Sequence, residues 1–165
     1  AKMAGANLAK ADFTSALLMG AVLDGANMSG AILRSATVSK YVSCTTVDPA
    51  FQWMCGYRTS MVKTDLSGAD LTGADLMDGI LTGANLSGAV LRRVTLSLVD
   101  LSGANLSGAD LADTRFDSAN LKGANLTGAK NIHPAHLAGA TMDSTTICVS
   151  GRPYSPAEGG ASCAR

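Results

Sequence analysis

Apolar side chains recur along this chain every five residues. From Ala1 to Ala36 each fifth residue is Ala, and two places after each stands a larger apolar residue: Met3, Leu8, Phe13, Leu18, Leu23, Met28, Leu33 and Val38. The pattern resumes at Asp65-Leu66 and advances in steps of five to Leu126, with Phe116 the one central residue that is not Leu. After an extra residue near Lys130 it continues more weakly through Ile132, Leu137, Met142 and Ile147. A period of five fits neither the 3.6 of a helix nor the 2.0 of a strand. A helix would turn about 500° in five residues and scatter the leucines around its circumference. A chain that turns a corner every five residues instead keeps them all inside. Four such corners close a square coil of twenty residues, and stacked coils bury Leu upon Leu. Ala two places earlier also enters the cramped interior, while Gly, Ser and Asp at the end of each unit suit the corner.

The polar positions follow from the same geometry. The residue before the central one is Asn or Asp at Asn7, Asp12, Asn27, Asp65, Asp70, Asp75, Asn85, Asp100, Asn105, Asp110, Asn120 and Asn125. A carboxylate array for metal or acid–base chemistry would not tolerate neutral Asn at half of these places. Capping of corner backbone groups tolerates both residues. Residues twenty apart lie about 4.8 Å apart on one face. Leu66, Leu86, Leu106 and Leu126 are therefore expected in one stack, with Asn85, Asn105 and Asn125 as an outer ladder. Arg93 is expected one coil from Asp113, as a surface ion pair of about 0–1 kcal/mol. Ile80, Val90 and Leu98 are apolar at outward positions, which singly is ordinary.

The Ala-Asp/Asn-Leu-x-x unit, as in Ala69-Asp70-Leu71-Thr72-Gly73 and Ala104-Asn105-Leu106-Ser107-Gly108, resembles that of the pentapeptide-repeat proteins. The resemblance covers about 125 of the 165 residues. It implies an all-β fold, a right-handed quadrilateral parallel β-helix. It says little of function, because the repeat is a structural part shared by proteins with different roles.

One single domain over residues 1–165 is expected: repeats 1–40, an insert at about 41–60, repeats 61–147 and a C-terminal cap 148–165. The insert breaks the phase, since Val38 and Met61 are 23 residues apart. It also holds four of the chain's seven aromatics, Tyr41, Phe51, Trp53 and Tyr57. With Arg58 these are the candidate partner-binding residues, because Trp, Tyr and Arg dominate interface hot spots. The competing reading packs them as a satellite cluster against the solenoid wall. The cap covers the apolar end of the last coil, as solenoid ends require.

Composition narrows the function. Charged residues are 16%, against about 25% in ordinary domains. Thirteen basic residues balance thirteen acidic ones, which supports neither a nucleic-acid binder nor a DNA-like acidic surface. The longest apolar run, Ala16 to Leu23, falls far short of the roughly 20 residues of a membrane span. The first forty residues already carry the repeat and do not read as a signal peptide. The four cysteines form two local pairs, Cys44 with Cys55 and Cys148 with Cys163, and no Cys-x-x-Cys occurs. Local disulfides in an oxidising compartment are the expectation; four reduced thiols are the alternative. Cys44 and Cys148 are expected about 19 Å apart, too far to bridge.

His133 and His136 have no partner spacing for a metal. The chain lacks a Gly-x-Ser-x-Gly elbow and a phosphate-binding Gly-rich loop, and Glu158 is its only Glu. No catalytic, metal or cofactor site is therefore expected. The reading is a non-catalytic structural or protein-interaction module, a monomer or weak dimer with an unknown protein partner. The family resemblance together with the cysteines implies the thylakoid lumen or periplasm, against a cytoplasmic alternative. The family's acidic members also raise a DNA-mimicking topoisomerase inhibitor, which neutral charge disfavours.

Overall fold

The computed structural model describes residues 1–38, 58–137, 139–156 and 163–164. Its backbone is a parallel solenoid in which single residues, not extended strands, pair between coils. Lys2 bridges Val22, Asn7 bridges Asn27, Asp12 bridges Ile32 and Leu17 bridges Thr37, all parallel and all twenty residues apart. Four five-residue units therefore make one coil. Faces 1 to 4 denote the units centred in the first coil on Met3, Leu8, Phe13 and Leu18.

The five N–H groups of a unit can be followed one by one around Leu106. The Asn105 N–H donates back to Ala84 at 2.9 Å, and the Leu106 N–H donates forward to Asn125 at 2.7 Å. The Gly108 N–H donates forward to Thr127, and the Ala109 N–H closes the corner on the Leu106 carbonyl. The Ser107 N–H remains, and it donates to the Asn105 side-chain oxygen at 3.1 Å. Buried backbone donors must be paired, so this fifth donor explains why Asn or Asp precedes the central residue. The next residue, at the corner, is left-handed. Gly108 has φ 65°, and Leu98 adopts 61° without being Gly, an arrangement that costs an L-residue about 1–2 kcal/mol.

The interior is one column of Leu, Met, Phe, Val and Ala, with four buried Thr. Leu66, Leu86, Leu106 and Leu126 are each 0% exposed, and consecutive members sit in hydrogen-bonded coils, so the expected stack is present. The register then absorbs three irregularities. Val22 pairs with Ser60 and Asn27 with Asp65, thirty-eight residues apart, so the insertion adds eighteen residues to the second coil. Thr59 and Ser60 already hold repeat positions, and the expected insert boundary at 60 moves back to 58. A second irregularity, at Asn131, is the expected extra residue near Lys130; Pro134–Leu137 then form a 3-10 turn that returns Leu137 to the core. A third lies between Met142 and Thr146. Because of it Asn125 pairs with Ile147, and Cys148, not Ile147, fills the central inward position. The extra residue in the Asp143–Thr146 turn moves the frame by one, which the weak periodicity there conceals.

Candidate interaction surfaces

The side chains that the sequence raised as candidate chemistry are engaged in holding corners. All twelve Asn and Asp residues before a central position accept the N–H two residues on. Their amides also link coils: Asn27 to Asn7, Asn85 to Asp65, Asn105 to Asn85, and Asn120 to Asp100. The outer ladder on face 2 thus joins Asp65, Asn85 and Asn105. Where Ser60 replaces the acidic residue, Asp24 of the preceding coil takes over, accepting from the Val62 N–H at 2.9 Å and from the Ser60 hydroxyl.

Face 3 carries the densest charge. Arg34 Nε lies 2.7 Å from Asp70, and Arg92 Nε 2.6 Å from Asp110. Around them Thr72, Val90 and Asp113 line a shallow open groove. The expected Arg93–Asp113 pair does not occur among the described residues. Both sit at left-handed corners, φ 56° and 57°, and Arg92, one place earlier, pairs with Asp110 of the next coil instead. The bond from Asn131 and the Arg92 guanidinium hold the Asp110 carboxyl below the usual range. Burial raises Asp70, but the bonds from Thr72 and Arg34 outweigh it and lower its pKa. These carboxylates are stabilised as anions, which suits ion pairs and not proton transfer.

Face 4 is where the insertion leaves and re-enters. Val38 is its buried central residue in the second coil, and Arg58 occupies the following corner. Arg58 turns onto the next coil, with Nε 2.6 Å from the Asp78 carbonyl and 3.0 Å from the Asp78 carboxylate. Of the five candidate partner-binding residues, Arg58 is thus engaged with the solenoid itself, while Tyr41, Phe51, Trp53 and Tyr57 lie outside the described residues, as do Cys44 and Cys55. Thr59 secures the same corner. Its hydroxyl donates to Leu18 or Val38 carbonyl oxygen, at 2.8 and 2.9 Å, and accepts the Gly20 N–H. Thr64, Thr114 and Thr146 likewise take the Ala position and donate to a carbonyl of the coil before. Thr at an otherwise Ala-rich register was the signal in the sequence for these four.

At the C-terminal end Cys148 and Cys163 form a disulfide, with Cα atoms 4.6 Å apart. Both sulfur-bearing residues are buried, at 5% and 0% exposure. The Val149 N–H donates to the Cys163 carbonyl and the Tyr154 N–H to Thr146, so the chain folds back across the last coil. His133 accepts the Ala135 N–H through Nδ1, and its ring lies 5.5 Å from that of His136.

Pentapeptide-repeat family models match residues 1–39, 58–93 and 96–130, in eight copies. The chain belongs to the pentapeptide-repeat family. The matched segments stop and restart around the insertion, in agreement with the bridge register. Among solved structures, this pentapeptide-repeat chain is similar to HetL, a pentapeptide repeat protein involved in heterocyst differentiation regulation from the cyanobacterium Nostoc sp. strain PCC 7120. Identity is 32% and the TM-score 0.58, over 93% of this chain and 64% of HetL. The chain thus spans a little under two thirds of that protein. A pentapeptide repeat protein from the cyanobacterium Cyanothece 51142 is 28% identical over 75% of this chain and 88% of its own, with a TM-score of 0.45. One from the Arabidopsis thaliana thylakoid lumen is 28% identical over 68% and 69%, with a TM-score of 0.32. No curated protein sequence matches the chain.

Proposed function

We propose that this pentapeptide-repeat chain is a non-catalytic structural or protein-interaction module of an oxidising compartment, the thylakoid lumen or periplasm. Its coil of four units is then the right-handed quadrilateral helix of the family. The observation that carries the functional reading is the use of polar groups. The corner Asn and Asp residues serve the backbone, and the face 3 carboxylates serve guanidinium groups. What varies on this regular frame is the insertion, and the partner surface is assigned there, to Tyr41, Phe51, Trp53 and Tyr57. Arg58 serves that surface as the anchor of its C-terminal root.

The buried Cys148–Cys163 bridge supports the oxidising compartment, because such bonds persist where glutathione does not reduce them. Cys44 and Cys55 close the insertion in the same reading. Affinity capture with the oxidised chain as bait, from thylakoid lumen or periplasm, tests the partner surface. A protein retained by the wild type and lost with Trp53→Ala and Tyr57→Ala is the expected result; undiminished capture by both variants overturns it. The neutral net charge also predicts that the purified chain leaves DNA supercoiling by gyrase unchanged.

A further inference from the structure

Two charged groups of the face 3 groove have no partner in the chain. Arg93 and Asp113 are exposed and line the same groove, yet neither forms an ion pair or a side-chain hydrogen bond among the described residues. Val90 bridges Asp110, so the two corners stand in consecutive coils, the fourth and the fifth, about 4.8 Å apart along the solenoid. Lys130, bridged to Asp110 from the sixth coil, is likewise exposed and unpaired among the described residues. Charge on this face alternates by coil. Coil three carries Asp70, coil four Arg92 and Arg93, coil five Asp110 and Asp113, and coil six Lys130, so the formal charges run −1, +2, −2 and +1. A uniformly acidic or uniformly basic partner would meet its own sign on every second coil. The series read backwards, +1, −2, +2 and −1, is its own negative.

We propose that face 3 binds a second copy of this chain, face to face with antiparallel solenoids, across a two-fold axis between coils four and five. That axis sets coil four against coil five and coil three against coil six, and keeps each column opposite itself. Arg93 then meets Asp113 of the second copy while Asp113 meets its Arg93, the reciprocal contact that a two-fold interface requires. Lys130 meets Asp70 of the second copy, which keeps its bonds to Arg34 and to the Thr72 N–H. Arg92 meets Ala112, the smallest residue of its column, where Arg34 and Thr72 also stand. An axis placed on coil four would set Arg93 against Arg93 and Asp113 against Gly73, and one on coil five Asp113 against Asp113. A parallel pairing would carry the corner column away from its own image. Coils three to six span about 14 Å, and Val90 to Arg93 about 10 Å. So small a contact lies below the about 800 Å² per partner of a stable interface. The dimer is therefore weak and governed by charge, forming at high protein concentration and low salt. It uses no residue of the insertion, and the partner surface assigned above stands independently of it.

Sedimentation of the oxidised full chain, from micromolar to millimolar concentration, tests the contact. A monomer–dimer equilibrium is expected at about 0.01 M salt, with the dimer severalfold weaker or lost at about 1 M. Arg93→Asp sets acid against acid and Asp113→Arg base against base, so each variant alone should dimerise at least about tenfold more weakly. Mixed in equal amounts, the two variants should form a heterodimer about as tight as the wild-type dimer, because every contact of the mixed pair again joins opposite signs. Arg and Asp already occupy these two left-handed corners, so circular dichroism should show the solenoid intact in both variants. The neutral Arg93→Gln and Asp113→Asn should weaken the dimer less, and Lys122→Ala on face 1 should leave it unchanged. A wild type that stays monomeric at millimolar concentration in low salt overturns the proposal. A dimer that both charge reversals retain overturns it as well, since the contact then lies elsewhere. So does a mixture of the two reversals that stays monomeric.

Discussion

Leu106 is the sharpest probe of the solenoid register. Truncation to Ala removes three carbons from a side chain that is fully buried between Leu86 and Leu126. At about 0.8 kcal/mol per buried CH₂, the lost transfer energy is about 2.4 kcal/mol. The neighbours cannot close the gap, because the backbone holds them at a fixed spacing. The Leu106 N–H is tied to Asn125 at 2.7 Å, the Asn105 N–H to Ala84 at 2.9 Å and the Gly108 N–H to Thr127 at 2.9 Å. A cavity of a few tens of Å³ therefore persists, and at about 24 cal/mol per Å³ it adds about 1–2 kcal/mol. The expected loss is about 3–4 kcal/mol, within the range of buried Leu truncations. Urea unfolding followed by circular dichroism measures it, with the exposed Lys122→Ala as a control expected within about 0.5 kcal/mol. Hydrogen exchange should place the loss first at the amides of Leu106 and Asn125, since repeat arrays are held by nearest neighbours. A Leu106→Ala midpoint no lower than the control's would refute the stacking argument.

Asn105→Ala should cost about 1–2 kcal/mol, because the Ser107 N–H loses its acceptor and the amide bond to Asn85 is lost with it, whereas Asn105→Asp keeps only the corner bond and should recover part of the loss in the same unfolding assay. Reduction of Cys148–Cys163 should cost about 2–4 kcal/mol. Exchange should quicken over residues 148–164 while the central coils stay protected, and uniform loosening would count against a local cap. Acidification should lower stability through the carboxylates. Burial raises Asp100, but bonds from Ser102, Thr82 and Asn120 outweigh it, so its folded pKa, like that of Asp70, lies below the unfolded value. Their contribution is full above the ordinary Asp range near about pH 4 and disappears as pH falls through the lowered folded values. Asp70→Asn with Asp100→Asn should flatten the dependence of the urea midpoint on pH in that window, and an unchanged slope would reject the assignment.

The sequence by itself determined the repeating part of this protein. Coil length, the stack from Leu66 to Leu126, the Ala positions and the duty of the corner Asn and Asp residues all follow from a five-residue period. They do so because each depends only on neighbours within one unit or twenty residues away. What the tertiary structure decided depends on offsets that accumulate along the chain, and on the directions of side chains. One additional residue in the Asp143–Thr146 turn put Cys148 inside in place of Ile147. Left-handed backbone at Arg93 gave its ion-pairing role to Arg92. Arg58, which adjoins an aromatic cluster in sequence, turned back onto Asp78 because the second coil closes only after the insertion. For the same reason Leu17, Met19, Met77 and Leu98, far apart along the chain, share face 4: the eighteen-residue insertion hides their common register until the coils are stacked.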